Sequence, residues 1–120
     1  MSHNPENLPL IPFSPAECVA VRKVLQAYGL SLRRGAVTPE RARHLVHVQR
    51  ITRRLTVQLS AQQEVRLALD GAEIDALLEA LHDFGRQIEE LFPHTPRRDL
   101  AVATLTAWQQ RVVDLLAASN

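Results

Sequence analysis

Arginine and histidine side chains make up the residues of this chain best suited to binding or catalysis. Arg43, His47, Arg50 and Arg54 follow one another at intervals of four, three and four residues, and Arg53 directly precedes the last of them. On a helix these intervals align the four along one ridge. Guanidinium groups bind carboxylates and phosphates in fork geometry. These five residues, here called the basic series, are therefore the candidate binding site.

A local histidine pair, His44 and His47, raises the question of a metal site. Side chains three residues apart on a helix could reach one metal ion. The neighbouring Arg41, Arg43 and Arg50 would repel a cation, however. We therefore expect ordinary surface histidines, and we predict neither a metal ion nor another cofactor.

The interval from Arg41 or Arg43 to His47 resembles the arginine-to-histidine motif of HEPN ribonucleases, which are helical bundles. That family normally has a polar residue directly after the arginine and carries the motif on a late helix. Here Ala42 or His44 follows the arginine, and the predicted helix is the second. The resemblance implies a small helical ribonuclease, which is our third functional hypothesis.

Composition and length limit the class of protein. The 120 residues carry 14 basic and 13 acidic side chains, for a net charge of +1, and 46% are hydrophobic, which is typical of one folded globular domain. The single cysteine, Cys18, excludes an internal disulfide and multi-cysteine metal sites, so a cytoplasmic location is expected. We also expect no secretory leader at Met1–Asn4 and no membrane association, because no apolar run approaches the ~20 residues of a membrane span.

Charge is distributed unevenly along the chain. Residues 1–60 carry nine basic and three acidic side chains (+6), whereas residues 61–120 carry five basic and ten acidic ones (−5). Glu79, Asp83 and Glu90 would form an acidic ridge on the third predicted helix. The basic series could therefore be solvated, pair with acidic groups within one chain or across a dimer, or bind nucleic-acid phosphates.

Helix-start signals define the elements that carry these residues. Ser14, Thr38 and Thr95 each precede a proline, and Asp70 has a glutamate three positions on, as N-cap residues do. Each signal precedes apolar residues at helical spacing, so we predict helices over about 15–28, 39–59, 72–92 and 96–117. Gly29 would end the first helix in a left-handed conformation. The predicted fold class is all-α, a small four-helix bundle.

Two segments do not fit a helix. Residues 1–13 contain Pro5, Pro9 and Pro12 among apolar residues, which predicts an extended N-terminal arm that packs on the bundle domain at 14–120 or on a partner. Val65–Leu69 alternates large apolar with smaller or charged residues, a pattern that fits a short extended segment, with a continuous helix or an irregular linker as the alternatives. Such a segment needs a backbone partner from a second chain or from elsewhere in this one.

The extended segment and the two helices after it resemble the ribbon–helix–helix family of DNA-binding dimers, which read DNA with the strand. Here Arg66 is the one polar side chain suited to reading bases, and the following helix is acidic. The sequence thus predicts a non-enzymatic interaction or assembly protein, a homodimer that uses the basic second helix and the apolar arm as contact surfaces. The alternative is a nucleic-acid-associated protein that contacts phosphates through Arg43, Arg50, Arg53 and Arg54.

Overall fold

A computed structural model describes residues 8–61 and 64–119, and it confirms the predicted all-α fold of four helices. The helices are α1 (Pro15–Arg33), α2 (Pro39–Ser60), α3 (Gly71–Leu91) and α4 (Pro96–Ser119). The described residues contain no β-strand. Residues 1–7 of the predicted arm lie outside the described part of the chain.

Each helix begins at the residue that its cap predicts. The Ser14 hydroxyl accepts from the Glu17 N–H at 3.2 Å, and the Glu17 carboxylate accepts from the Ser14 N–H at 2.9 Å. Asp70 forms the same reciprocal pair with the glutamate three residues on. The hydroxyls of Thr38 and Thr95 accept from the backbone N–H three residues later, at 3.1 and 3.2 Å. Local hydrogen bonding thus sets all four starts.

The end of α1 differs from the prediction. Gly29 does not end the helix, which continues to Arg33, just before Gly35 at φ 97°. Gly29 is buried against α2, where an alanine Cβ would lie 3.7 Å from Val48 Cγ1 and 3.8 Å from Leu45 Cδ1. The prediction for Gly29 was wrong because the buried Leu32 continues the apolar stripe of α1 past this glycine, and Gly35 is the residue that adopts the left-handed conformation.

Three helices surround the centre of the core, and the fourth lies outside them. Helices α1, α2 and α3 pack against one another, whereas the backbone of α4 comes close to that of α3 alone among the described helices. The largest fully buried side chains come from all four helices and from the segment before α3: Cys18, Val21, Leu25, Val48, Ile51, Leu55, Leu67, Leu69, Ile74, Leu77, Leu81 and Val112. Because α4 packs closely on one helix, side chains of the arm and of α1 supply further contacts to it.

The arm supplies the backbone partner of the extended segment at 65–69. The N–H of Ile11 donates to the carbonyl of Leu67 at 2.7 Å, and the N–H of Leu69 donates to the carbonyl of Pro9 at 2.9 Å. This pairing amounts to one isolated antiparallel bridge. The extended segment and the arm therefore cover each other within one chain, so neither requires a second copy.

Phe13, Trp108, Arg111 and Glu17 form a cluster, here called the clasp, that joins the arm to α4. The rings of Phe13 and Trp108 meet edge to face, with centroids 5.3 Å apart, and the guanidinium of Arg111 lies 5.6 Å from the centroid of the Phe13 ring. Arg111 also donates to the Glu17 carboxylate at 2.9 Å. Because Ile11 and Phe13 are buried, the described part of the arm, residues 8–13, packs into the core through these two side chains.

The ion pair of this clasp predicts a pH effect. Arg111 is the main cause, followed by the Ser14 N–H, of a Glu17 pKa lowered from 4.5 to about 2. A lowered pKa in the folded state stabilises the fold above about pH 4.5, and this contribution is lost as the pH falls towards 2. In the Arg111→Gln variant we expect the Glu17 pKa to rise towards its ordinary value, as measured by NMR titration of the carboxyl carbon.

The matched control for that titration is Arg97→Gln, which removes an exposed arginine from the same helix without touching the clasp. It should leave the Glu17 pKa low. An unchanged Glu17 pKa in the Arg111→Gln variant would show that the bridge does not form in solution.

Candidate interaction surface

The structure separates the basic series into exposed and engaged members. Helix α2 is unbroken from Pro39 to Ser60, as the series requires. Arg43, Arg50 and Arg53 are exposed, whereas His47 and Arg54 are half-buried. The five residues therefore do not act as one free surface.

Arg54 is committed to a contact with α3. Its Nη1 donates to Glu73 at 3.1 Å, and its Nη2 donates to the carbonyl of Ala68 at 2.8 Å. The Glu73 side chain is 4% exposed, and its other oxygen accepts from the N–H of Asp70 at 3.0 Å. Both carboxylate oxygens are thus satisfied, and Arg54 joins α2 to the start of α3 as a structural residue.

Arg43 and His47 line a shallow depression beside α3 together with the acidic residues Glu40 and Asp75. The Nδ1 atom of His47 is buried and has no hydrogen-bond partner among the described residues. Two carboxylates at the same depression oppose the approach of a phosphate. This part of α2 therefore does not favour nucleic acid.

The acidic ridge of α3 is neutralised mainly from its own helix. Arg86 donates to Asp83 at 3.1 Å and to Glu90 at 3.4 Å. The one ion pair between α2 and α3 within the described residues joins Arg54 to Glu73, which lies outside the predicted ridge. Within the described residues, ion pairing between α2 and α3 is thus confined to one end of α2.

A polar cleft of about 390 Å³ lies where the end of α1 meets α2 and α3. The Tyr28 hydroxyl and His44 Nδ1 are 3.1 Å apart there. Burial, with Glu79 and Asp83 nearby, raises the pKa of Tyr28. The hydroxyl therefore stays protonated at neutral pH and cannot serve as a base.

Arg41, which borders this cleft, is bound to the backbone. Its Nη2 donates to the carbonyls of Ser31, Leu32 and Arg34 at 2.9, 3.2 and 3.1 Å. These contacts satisfy carbonyls that the end of α1 leaves without a helical partner. Arg41 thus positions the end of α1. Because its guanidinium is engaged there, the ribonuclease hypothesis, in which Arg41 would act together with a histidine, is weakened.

Cys18 has no sign of a catalytic role. Burial, and secondarily Glu17, raises the pKa of its thiol to about 11. The sulfur lies 3.7 Å from the carbonyl oxygen of Phe13. A protonated, buried thiol is a poor nucleophile, so Cys18 serves as a small core residue.

A concave surface with a volume of about 540 Å³ runs between α1 and α2. Its apolar floor is formed by Leu30, which is 53% exposed, and by the half-buried Leu45, and the buried Leu25 and Val48 also line it. This surface is called the α1–α2 groove below.

The rim of the α1–α2 groove is polar and basic. Arg33 lies on the α1 side and Arg53 on the α2 side, with Gln26 and Gln49 also lining it. None of the described lining residues is acidic. The hydroxyl of Thr52 donates to the carbonyl of Val48 on its own helix at 2.7 Å, so this donor needs no hydrogen-bond partner from a ligand. The groove therefore suits an apolar group that carries negative charge at its edges.

Sequence reasoning found Arg53 but missed Arg33, which it assigned to a connector. Leu32 is buried four residues after Tyr28 and seven after Leu25, so it continues the apolar stripe of α1. That periodicity was the available sign that the helix extends past Gly29 and carries Arg33 to the groove.

Within residues 8–61 and 64–119, no group of three or more His, Cys, Asp or Glu residues could hold a metal ion. In the same ranges no helix has the length and apolar character needed to cross a membrane. The chain matches no protein-family model, no curated protein and no solved structure. Its function must therefore be inferred from its own surfaces.

Proposed function

We propose that this protein is a non-enzymatic interaction protein whose α1–α2 groove binds an acidic segment of a partner protein through apolar anchor side chains. The observation that carries the proposal is the combination of an apolar floor with the basic rim residues Arg33 and Arg53 and no acidic lining residue. A cytoplasmic location is part of the same proposal.

The floor and the rim would contribute differently to binding. Burying one Leu or Phe side chain contributes about 1.5–3 kcal/mol, whereas an exposed ion pair contributes ~0–1 kcal/mol. The apolar surface of Leu30 and Leu45 would therefore supply most of the affinity. Arg33 and Arg53 would select acidic partners and speed their association.

Nucleic acid is the less favoured partner. Phosphates carry no apolar group for the groove floor, and the five aromatic residues of the chain include Phe13 and Trp108, which are engaged in the core. Arg54 is bound to Glu73. Nucleic-acid binding usually relies on base stacking and on a continuous row of free arginines, and these residues favour neither.

The test uses two synthetic amphipathic peptides of about 14 residues, with Leu and Phe at helical spacing. One carries Glu at all other positions, and the other carries Lys. In NMR titrations we expect the acidic peptide to shift the amide signals of Leu30, Arg33, Gln49 and Arg53, with a dissociation constant on the order of 10–100 µM. The basic peptide should not bind.

Two double variants with the same change in charge locate the site. Arg33→Glu with Arg53→Glu should weaken binding of the acidic peptide at least tenfold, while Arg43→Glu with Arg50→Glu should have little effect. Equal losses in both variants, or no binding of the acidic peptide, would overturn the proposal. Salt-dependent binding of labelled RNA or duplex DNA, abolished by the second variant, would support the nucleic-acid alternative instead.

A further inference from the structure

The end of α3 presents large apolar side chains next to acidic ones. Leu91 is 74% exposed and Phe92 is 60% exposed, and both follow Glu89 and Glu90 directly in the sequence. Residues 89–92 are called the acidic corner below. Neighbouring exposed apolar side chains with charged residues beside them are typical of protein contact sites.

The acidic corner is not required by the fold of the single chain. Leu91 continues the apolar stripe of α3, but it lies beyond the part of the helix that the core covers. Phe92 borders a small hollow that is also lined by the basic residues Arg97 and Arg98, yet most of its surface remains exposed. Both side chains therefore remain exposed in the folded chain and are available to anchor a contact with another molecule.

We propose that the partner of the α1–α2 groove is the acidic corner of a second copy of this chain. The inference rests on the proposed function and names its partner. Leu91 and Phe92 would occupy the apolar floor, while Glu89 and Glu90 would face Arg33 and Arg53. In a dimer with a two-fold axis each copy contributes one groove and one corner, so the contact forms twice.

Charge complementarity selects a second copy as the occupant. Arg33 and Arg53 of the groove are opposite in charge to the exposed Glu89 and Glu90 of the corner. Arg33, Arg53 and Glu89 form no side-chain ion pair within the described part of the chain, and Glu90 holds one exposed pair with Arg86 at 3.4 Å. These charges are therefore free, or nearly free, to pair between copies.

The first experiment measures the mass of the full chain by sedimentation velocity over a range of concentrations. We expect a dimer at micromolar concentrations. Leu91→Asn with Phe92→Asn should give a monomer with unchanged circular dichroism, because both side chains are exposed. The matched control, Val113→Asn, removes an exposed apolar side chain from α4 and should remain dimeric.

The second experiment exchanges the charges. Arg33→Glu with Arg53→Glu gives a chain with an acidic groove, and Glu89→Arg with Glu90→Arg gives a chain with a basic corner. Each variant alone should be monomeric, because groove and corner then carry like charges. Mixed together they should form a heterodimer, because each groove again meets a corner of opposite charge.

These outcomes separate the inference from the proposed function. If the wild-type chain is a monomer but the acidic peptide binds the groove, the second-copy contact is wrong and the proposed function stands. If neither association occurs, both are wrong. A dimer that persists in the Leu91→Asn, Phe92→Asn variant, or charge variants that do not associate when mixed, would also overturn the inference.

Discussion

Replacing Phe13 with alanine should lower the free energy of unfolding by about 4 kcal/mol, a value within the range for removing a buried aromatic side chain. Phe13 is 7% exposed and packs edge to face on Trp108. Its loss would leave a cavity under the arm and remove the surface on which Arg111 lies. Urea unfolding followed by the fluorescence of Trp108, the single tryptophan, measures the change.

The matched control is Phe92→Ala, which removes the same side chain from an exposed position. At a concentration where the chain is monomeric, it should change the free energy of unfolding by less than about 0.5 kcal/mol. A loss below about 1 kcal/mol in the Phe13→Ala variant would mean that the arm is not anchored as described.

The Arg54→Met variant should lose about 3 kcal/mol of stability. The substitution leaves Glu73, 3% exposed, as a buried carboxylate without its cation, and such losses run to about 3–5 kcal/mol. The lower end applies because the Arg54 side chain is 37% exposed. The carbonyl of Ala68 also loses its side-chain donor. Urea unfolding again measures the effect.

Two further variants test the cause of that loss. Arg50→Met removes an exposed arginine from the same helix and should change stability by less than about 0.5 kcal/mol. Adding Glu73→Gln to Arg54→Met removes the buried charge, so the double variant should be more stable than Arg54→Met alone. If Arg54→Met and Arg50→Met are equally mild, the ion pair contributes nothing.

The starts of the helices could be predicted from sequence because they depend on chemistry within four residues. Ser14 and Asp70 cap their helices through side chains that are adjacent in the chain. The end of α1 was less predictable, since Gly29 satisfies a local rule for a helix end. Burial of Leu32 in the core extends the helix past this glycine. Local chemistry and tertiary packing gave opposite answers, and packing prevailed.

The candidate site was predictable only in part. Helical spacing predicted that Arg43, His47, Arg50 and Arg54 share one ridge of α2, but spacing carries no information on where α3 lies. Arg53 and Arg54 are adjacent in sequence, yet one lines the α1–α2 groove and the other is bound to Glu73. Periodicity likewise placed Leu91 on an inward stripe, because it cannot show how far the core extends along α3.

The contact between Phe13 and Trp108 has a consequence for synthesis on the ribosome. These two residues are separated by most of the chain, and translation delivers them at very different times. Helices α1 to α3 can associate as soon as they leave the exit tunnel, but Phe13 must wait for α4 before its site is complete. Because contacts of such long sequence separation form late, the nascent protein would expose this aromatic ring until α4 has also left the exit tunnel.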